Sequence, residues 1–272
     1  MCVKLMTLMH KFGNFLGITP LKIDTATVGK IQKWYNFFIL LLFTIGAIIS
    51  IASRRSIKHG NSLSALFFYS TEIVLYAFTF YTTIVSISFK RLHWYQFYKN
   101  LQIVKCPTQI QTSSVQTEFF IIVICSVGTE IMVACALYQQ IEFDYFRIYF
   151  TPGIQLVLQT FYKFFLYTAV KMLHLRYTHL THLLSKHLNI PSRSSLVVMR
   201  QTTASTYLLQ KTVNIFNDLF GWPISFFIYY TILSSIEAIY NAGRIKSADS
   251  VLIILVRVIP AFVSFPNVFF QN

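Results

Sequence analysis

The residues of this chain that could bind a ligand or take part in chemistry are charged residues inside long apolar stretches. These residues are Glu72, Glu130, Lys163, Glu237 and Arg257. A charge at the centre of a bilayer costs about 2.5–3.5 kcal/mol on an insertion scale, so such residues face a protein interior or a wet cavity. Carboxylates placed there can accept hydrogen bonds from a polar ligand, and Glu237 can also pair with Arg257.

Tyrosines lie within one or two helical turns of these acids, as the wall of a binding pocket would require. We therefore predict an outward-facing, water-accessible pocket for a small polar ligand. Its candidate residues are Glu72, Tyr76, Glu130, Tyr229, Tyr230, Glu237 and Arg257, with Tyr69 as a further wall residue. The alternative is that these charges only hold helices together. Lys163 is expected to extend to the lipid headgroups in a structural role.

Four histidines are the sharpest candidates for metal binding: His174, His179, His182 and His187. No thiol or carboxylate lies close to them in sequence, so the basis for a zinc site is weak. Leucines and a tyrosine between residues 173 and 188 recur every three or four positions, which predicts an amphipathic helix ended by Pro191. No hydrolase, phosphate-loop or metalloprotease motif is present. The sequence predicts no enzyme, no cofactor and no metal site.

The composition is typical of a membrane protein. Only 12% of the residues are charged and 55% are hydrophobic, more apolar side chain than a soluble core of this size can bury. Six apolar runs are each long enough to cross a hydrocarbon layer about 30 Å thick as a helix. They cover residues 35–52, 63–89, 119–138, 150–170, 219–240 and 251–270. The predicted fold is all-α, a polytopic bundle of six transmembrane helices.

The net charge of +14 is distributed in a way that predicts topology. Of the 23 lysines and arginines, 15 lie in the N-terminal tail, the second-to-third loop and the fourth-to-fifth loop. Basic loops stay in the cytoplasm, so the N-terminus is predicted to be cytoplasmic. The same residues attract anionic lipid, which accounts for the charge without nucleic acid. The predicted regions are a tail (1–34), four helices (35–170), a cytoplasmic helical connector (171–218) and two helices (219–272).

The stretch TVNIFNDLFGWPISFFIYYTIL, residues 212–233, places polar residues directly before an apolar run. Asn217 or Asp218 is predicted to cap a helix there. Pro223 would then lie in the first turn, where amides have no helical acceptor. Gly221 is predicted to allow a neighbouring helix to approach closely.

The same stretch resembles the Asn-x-x-Phe-Gly sequence at the start of the fifth helix in insect gustatory receptors. The residues that carry the resemblance are Asn214, Phe216, Asn217, Phe220 and Gly221. The cytoplasmic N-terminus, the tyrosine-rich helices and the basic connector agree with it. The resemblance implies a plasma-membrane receptor for a small-molecule tastant, a ligand-gated cation channel that assembles as a homo- or heterotetramer. The connector would anchor the subunits to one another.

In that family a seventh helix lines the pore, whereas this sequence contains six apolar runs. We therefore expect either an incomplete receptor chain or a naturally short relative that modulates a full-length partner. A secondary transporter is the alternative from another class, and it should show internal repeats and interrupted helices. No convincing three-plus-three repeat is present. A G-protein-coupled receptor is disfavoured by the predicted cytoplasmic N-terminus.

Overall fold

The computed structural model describes residues 10, 11, 13–20, 29–57, 62–104, 144–188 and 193–242, with seven single residues between 121 and 135. All elements in this part of the chain are helices. Their bounds are α1 (Lys30–Ile57), α2 (Ser62–Phe80), a π-helix (Tyr81–Phe89), α3 (Arg91–Ile103), α4 (Asp144–Ile148), α5 (Phe150–Leu188) and α6 (Arg193–Ala242). The predicted all-α fold is confirmed for these residues.

Three segments of the described helices are long and apolar enough to cross a membrane. They are Lys30–Ser53 of α1, Tyr69–Phe89 of α2 and the π-helix, and Leu196–Glu237 of α6. They overlap the first, second and fifth predicted spans. The fourth predicted span lies in α5, whose apolar character is reduced by Gln155, Gln159 and Lys163. The sixth span, and most of the third, lie outside the described residues, so the count of six stays a prediction.

Helix α6 is the longest element and packs along α2, α3 and α5. Helix α1 packs on α2 and also contacts the π-helix, α4 and α5. Helices α2 and α5 touch each other as well. They therefore lie between α1 and α6, where residues on their facing sides are withdrawn from the surroundings.

Helices α5 and α6 run without a break through the predicted boundaries after residues 170 and 218. The prediction that Asn217 or Asp218 caps a helix is wrong, because α6 begins at Arg193. Buried residues such as Leu209 and Ile215 continue along one side of α6, so packing carries the helix through this stretch. Asn217 and Asp218 are exposed and do not compete for backbone hydrogen bonds.

An aromatic cluster joins α3, α5 and α6. Trp94 and Phe97 of α3 are fully buried against Phe220 of α6, and Trp94 also contacts Phe165 of α5. The ring centroids of Phe216 and Phe220 are 4.7 Å apart. Aromatic pairs contribute about 0.5–1.5 kcal/mol each beyond the area they bury. This cluster is the main apolar core of the described residues.

The amphipathic pattern predicted between residues 173 and 188 is only partly confirmed. The segment is helical and ends at Leu188, shortly before the proline. Leu173 and Leu180 are buried, but Tyr177 and Leu184 are exposed. The buried strip is therefore narrower than predicted, and this part of α5 also reaches α3 through one arginine.

That arginine, Arg176, is 1% exposed and holds the end of α3. Its Nε donates to the Val104 carbonyl at 3.1 Å and its Nη2 to the Leu101 carbonyl at 2.9 Å. Carbonyls in the last turn of a helix have no helical donor and carry the negative end of the helix dipole. Arg176 is thus a structural residue as well as one of the basic residues that predict topology.

Arg176→Met should lower the free energy of unfolding by about 3 kcal/mol, because it leaves two buried carbonyls without a charged donor. Thermal unfolding of the detergent-solubilised protein measures the loss. Arg200→Met is the matched control, since Arg200 is exposed. Equal melting temperatures for the two variants would contradict this role.

Tyr98 of α3 is expected to make the stability of the fold depend on pH in the alkaline range. Its side chain is buried, and its hydroxyl has no hydrogen-bond partner among the described residues. Burial raises the pKa of Tyr98 above its ordinary value of 10.0, because the ionised ring would lose its hydration. The neutral form therefore stabilises the fold fully below about pH 10, and this contribution declines as the pH rises further.

Tyr98→Phe should raise the free energy of unfolding by about 1 kcal/mol at neutral pH, because a buried hydroxyl without a partner is removed. It should also reduce the loss of stability above about pH 10. Melting temperatures measured across this range test both effects. Tyr95→Phe, on the same helix and half-buried, serves as the control. Parallel pH profiles for wild type and Tyr98→Phe would reject the assignment.

Candidate functional site

A line of polar side chains runs between α1, α2 and α5, and we name it the polar seam. On α2 and the π-helix its members follow one another at intervals of four, three and four residues, so they share one helix face. The members are Glu72, Tyr76, Thr79 and Thr83 from α2 and the π-helix, Gln32, Asn36, Thr44 and Ser50 from α1, and Gln155 and Gln159 from α5. All are buried except Tyr76 and Thr44, which are half-buried.

Glu72 lies at one end of the polar seam and is 7% exposed. The Ser50 hydroxyl lies 2.7 Å from Glu72 Oε1 and 2.7 Å from the Ile148 carbonyl oxygen, and it can donate to either. The close packing here depends on Gly46, one turn away on α1. A Cβ at Gly46 would lie 2.2 Å from Thr151 Oγ1 on α5, so a larger residue would force Thr151 to move.

The middle of the polar seam is closed by direct contacts between side chains. Thr44 Oγ1 and the Tyr76 hydroxyl are 2.7 Å apart, which joins α1 to α2. Gln155 Nε2 donates to Thr79 Oγ1 at 3.3 Å, which joins α5 to α2. These contacts pair polar groups of neighbouring helices, as a low-dielectric surrounding favours.

The other end of the polar seam contains carboxamides that are incompletely paired. Asn36 Nδ2 donates to the Thr83 carbonyl at 3.0 Å. Asn36 Oδ1, Gln159 Nε2 and Gln32 Nε2 are buried and have no hydrogen-bond partner among the described residues. A buried polar atom without a partner costs about 1–3 kcal/mol. Buried polar groups of this kind are commonly satisfied by an ordered water.

The structure brings together two of the residues predicted to form the pocket, Glu72 and Tyr76. Tyr229 is 60% exposed on α6, and Tyr230 and Glu237 on the same helix are half-buried. Helix α6 contributes nothing to the polar seam. Glu130 and Arg257 lie outside the described residues. The pocket of seven residues therefore stays a prediction, and its described centre is Glu72.

Sequence reasoning missed the members of the polar seam on α1 and α5. Gln155 and Gln159 did carry a signal, because two carboxamides four residues apart in an apolar helix share one face.

Lys163 of α5 also differs from its expected position. Its Nζ lies 5.4 Å from the ring centroid of Phe227 on α6, so its ammonium makes a cation–π contact within the bundle.

The motif shared with gustatory receptors combines buried and exposed positions. Phe216 and Phe220 belong to the aromatic cluster, whereas Asn214 and Asn217 are exposed. The prediction that Gly221 allows close helix packing is wrong for the described residues, because a Cβ there would meet nothing within 4 Å. The neighbouring helix α3 contacts the flanking Phe220 instead.

Pro223 lies in the interior of α6 and leaves a backbone carbonyl of that helix free to accept a hydrogen bond from the π-helix. Proline has no N–H, so the Leu219 carbonyl lacks its helical donor. The Tyr81 hydroxyl makes a long hydrogen bond of 3.4 Å to this carbonyl, and the Lys90 ammonium donates to the carbonyl of Asp218. The first residue of the π-helix and the residue after its end therefore hold α6 where proline weakens it.

A double-mutant cycle tests this contact. Tyr81→Phe should cost about 0.5–1 kcal/mol of unfolding free energy in the native sequence, because the Leu219 carbonyl loses its donor. In a Pro223→Ala background the alanine N–H can satisfy that carbonyl, so the same substitution should cost almost nothing. Thermal unfolding of the four proteins gives the coupling. Equal costs in both backgrounds would show that Tyr81 does not serve the proline-freed carbonyl.

Comparison of the chain with protein-family models, curated proteins and solved structures finds no match.

Proposed function

We propose that this chain is a membrane receptor of the insect gustatory type, a subunit of an oligomeric ligand-gated cation channel that detects a small polar tastant. The observation that carries the proposal is Glu72, a carboxylate buried between three helices with a serine and a tyrosine–threonine pair beside it. A buried acid inside a helix long and apolar enough to span a membrane is by default a functional residue.

The proposed topology places Glu72 where a ligand from outside the cell can reach it. With a cytoplasmic N-terminus, α1 runs outward and α2 returns inward, so Glu72 lies in the outer half of α2. The carboxylate can accept hydrogen bonds from hydroxyl or amine groups of a ligand, and Tyr76 provides an aromatic surface one turn away. The six spans, the plasma-membrane location and the tetramer belong to the same proposal.

The connection between α3, α5 and α6 supports a role in signal transmission. Both α5 and α6 continue unbroken from the apolar part of the bundle into the predicted cytoplasmic connector. Phe216 and Phe220 of the motif tie this continuation to α3 through the aromatic cluster. A shift of these helices around a bound ligand would therefore reach the connector, the predicted contact between subunits.

Membrane-current recording tests the proposal in cells that express the chain, alone or with a full-length gustatory receptor. Sugars, bitter alkaloids and bicarbonate are the stimuli. At least one should evoke or alter a cation current, and Glu72→Gln should raise its half-effective concentration about tenfold, the effect of one charge-assisted hydrogen bond. Tyr207→Phe, at an exposed position of α6, should change nothing.

Two results would contradict the proposal. Unchanged potency in both Glu72→Gln and Glu130→Gln would reject the acidic pocket. Solute uptake against its concentration gradient, driven by an ion gradient, would identify a secondary transporter instead.

A further inference from the structure

We propose that the polar seam is a hydrated path that conducts protons through a single copy of this chain, between Glu72 and the end of α1 at Gln32. This activity requires neither a tastant nor a pore helix, so it goes beyond the receptor function proposed above. It rests on the register of three helices, on unpaired buried carboxamides, and on the length and charge of the polar seam.

The register of the helices makes the path continuous. Ser50 contacts both Ile148, just before α5, and Glu72 of α2, so Ile148 and Glu72 lie at the same position along the bundle. Gln155 of α5 and Thr79 of α2 also lie at one position, because a direct hydrogen bond joins them. Both pairs have the same offset in residue number, so α5 and α2 run parallel in register. The same offset places Gln159 opposite Thr83, whose carbonyl binds Asn36. Three helices therefore contribute polar groups at one level.

The unpaired donor and acceptor atoms at this position could all be satisfied by water molecules. Gln159 and Asn36 are each 1% exposed, and Gln32 is 4% exposed. Gln159 Nε2 and Gln32 Nε2 are donors and Asn36 Oδ1 is an acceptor, and none has a partner among the described residues. Water both donates and accepts, and buried water typically makes about three hydrogen bonds to otherwise unsatisfied polar groups. Single waters near these carboxamides would link the hydroxyls of Thr79 and Thr83 to the cytoplasmic end of α1.

The length of the polar seam matches that of a membrane crossing. Ser50 and Gln32 are 18 positions apart on α1, about 27 Å along a helix, and the hydrocarbon layer is about 30 Å thick. Both residues lie within the apolar segment Lys30–Ser53. A polar line of this length inside an apolar helix extends across most of the layer.

The chemistry of the polar seam favours protons over larger ions. Its members are hydroxyls, carboxamides and one carboxylate, and the ammonium of Lys163 is held by Phe227 instead. Direct contacts of 2.7–3.3 Å between side chains in the middle of the polar seam leave no room for a hydrated sodium ion, whereas a proton can pass along a hydrogen bond between hydroxyl groups. Glu72 can take up a proton at one end of the polar seam while a second proton leaves at the Gln32 end. Only O–H bonds form and break, and no co-reactant is needed.

Proton flux into liposomes tests the proposal. The purified full chain is reconstituted with an internal pH-sensitive dye, and a potassium gradient with valinomycin supplies the driving potential. We expect acidification at least about tenfold faster than in protein-free liposomes. Glu72→Gln and Gln159→Leu should reduce the rate to the protein-free level. Gln210→Leu, at an exposed position of α6, should keep the wild-type rate.

Thr79→Val, which keeps the side-chain volume, should also reduce proton flux and serves if Gln159→Leu does not fold. Flux equal to protein-free liposomes, or flux that Glu72→Gln and Thr79→Val leave unchanged, would overturn the proposal. Sodium entry without acidification would overturn it as well. No tastant is added in this assay, so failure of the receptor function and failure of proton conduction are separate results.

Discussion

The arrangement of the described helices depends on one constraint, which is that polar groups inside long apolar helices must find partners within the bundle. The Ser50 hydroxyl lies within hydrogen-bond distance of both Glu72 and the Ile148 carbonyl where three segments meet, and Asn36 donates to the Thr83 carbonyl further along α1. These contacts fix the rotation of α1 and its register against α2. The opposite side of α1 then presents Phe38, Leu42 and Ile45 outward, which is compatible with contact with lipid.

A second group of contacts fixes the region that leads to the predicted cytoplasmic connector. The aromatic cluster packs α3 against α5 and α6, and Arg176 binds the carbonyls at the end of α3. The carbonyls near Pro223 accept from Tyr81 and Lys90, so the π-helix is bound to α6 at both of its ends. These interactions make α6 one long helix despite an internal proline, and a movement at one end can reach the other.

The features predictable from the sequence were those set by composition and local pattern. The apolar runs at 35–52, 63–89, 150–170 and 219–240 lie in helices of the described residues, and the cost of a buried charge predicted that Glu72 faces inward. The cap at Asn217 was predicted wrongly because local capping propensity is weaker than the packing of Leu209, Ile215 and Phe216 on neighbouring helices. The pairing of Asn36 with Thr83 depends on the register between helices, which no local pattern specifies.

The central claim is that α1 crosses the bilayer with its polar side turned toward α2 and α5. The most direct test is a spin label at Leu42, which is 53% exposed on the apolar side, in protein whose native cysteines are replaced. In reconstituted bilayers we predict frequent collisions with oxygen, which concentrates in lipid, and few with a water-soluble nickel chelate. Collisions with the chelate as frequent as those with oxygen would place Leu42 in water and contradict this description of the fold.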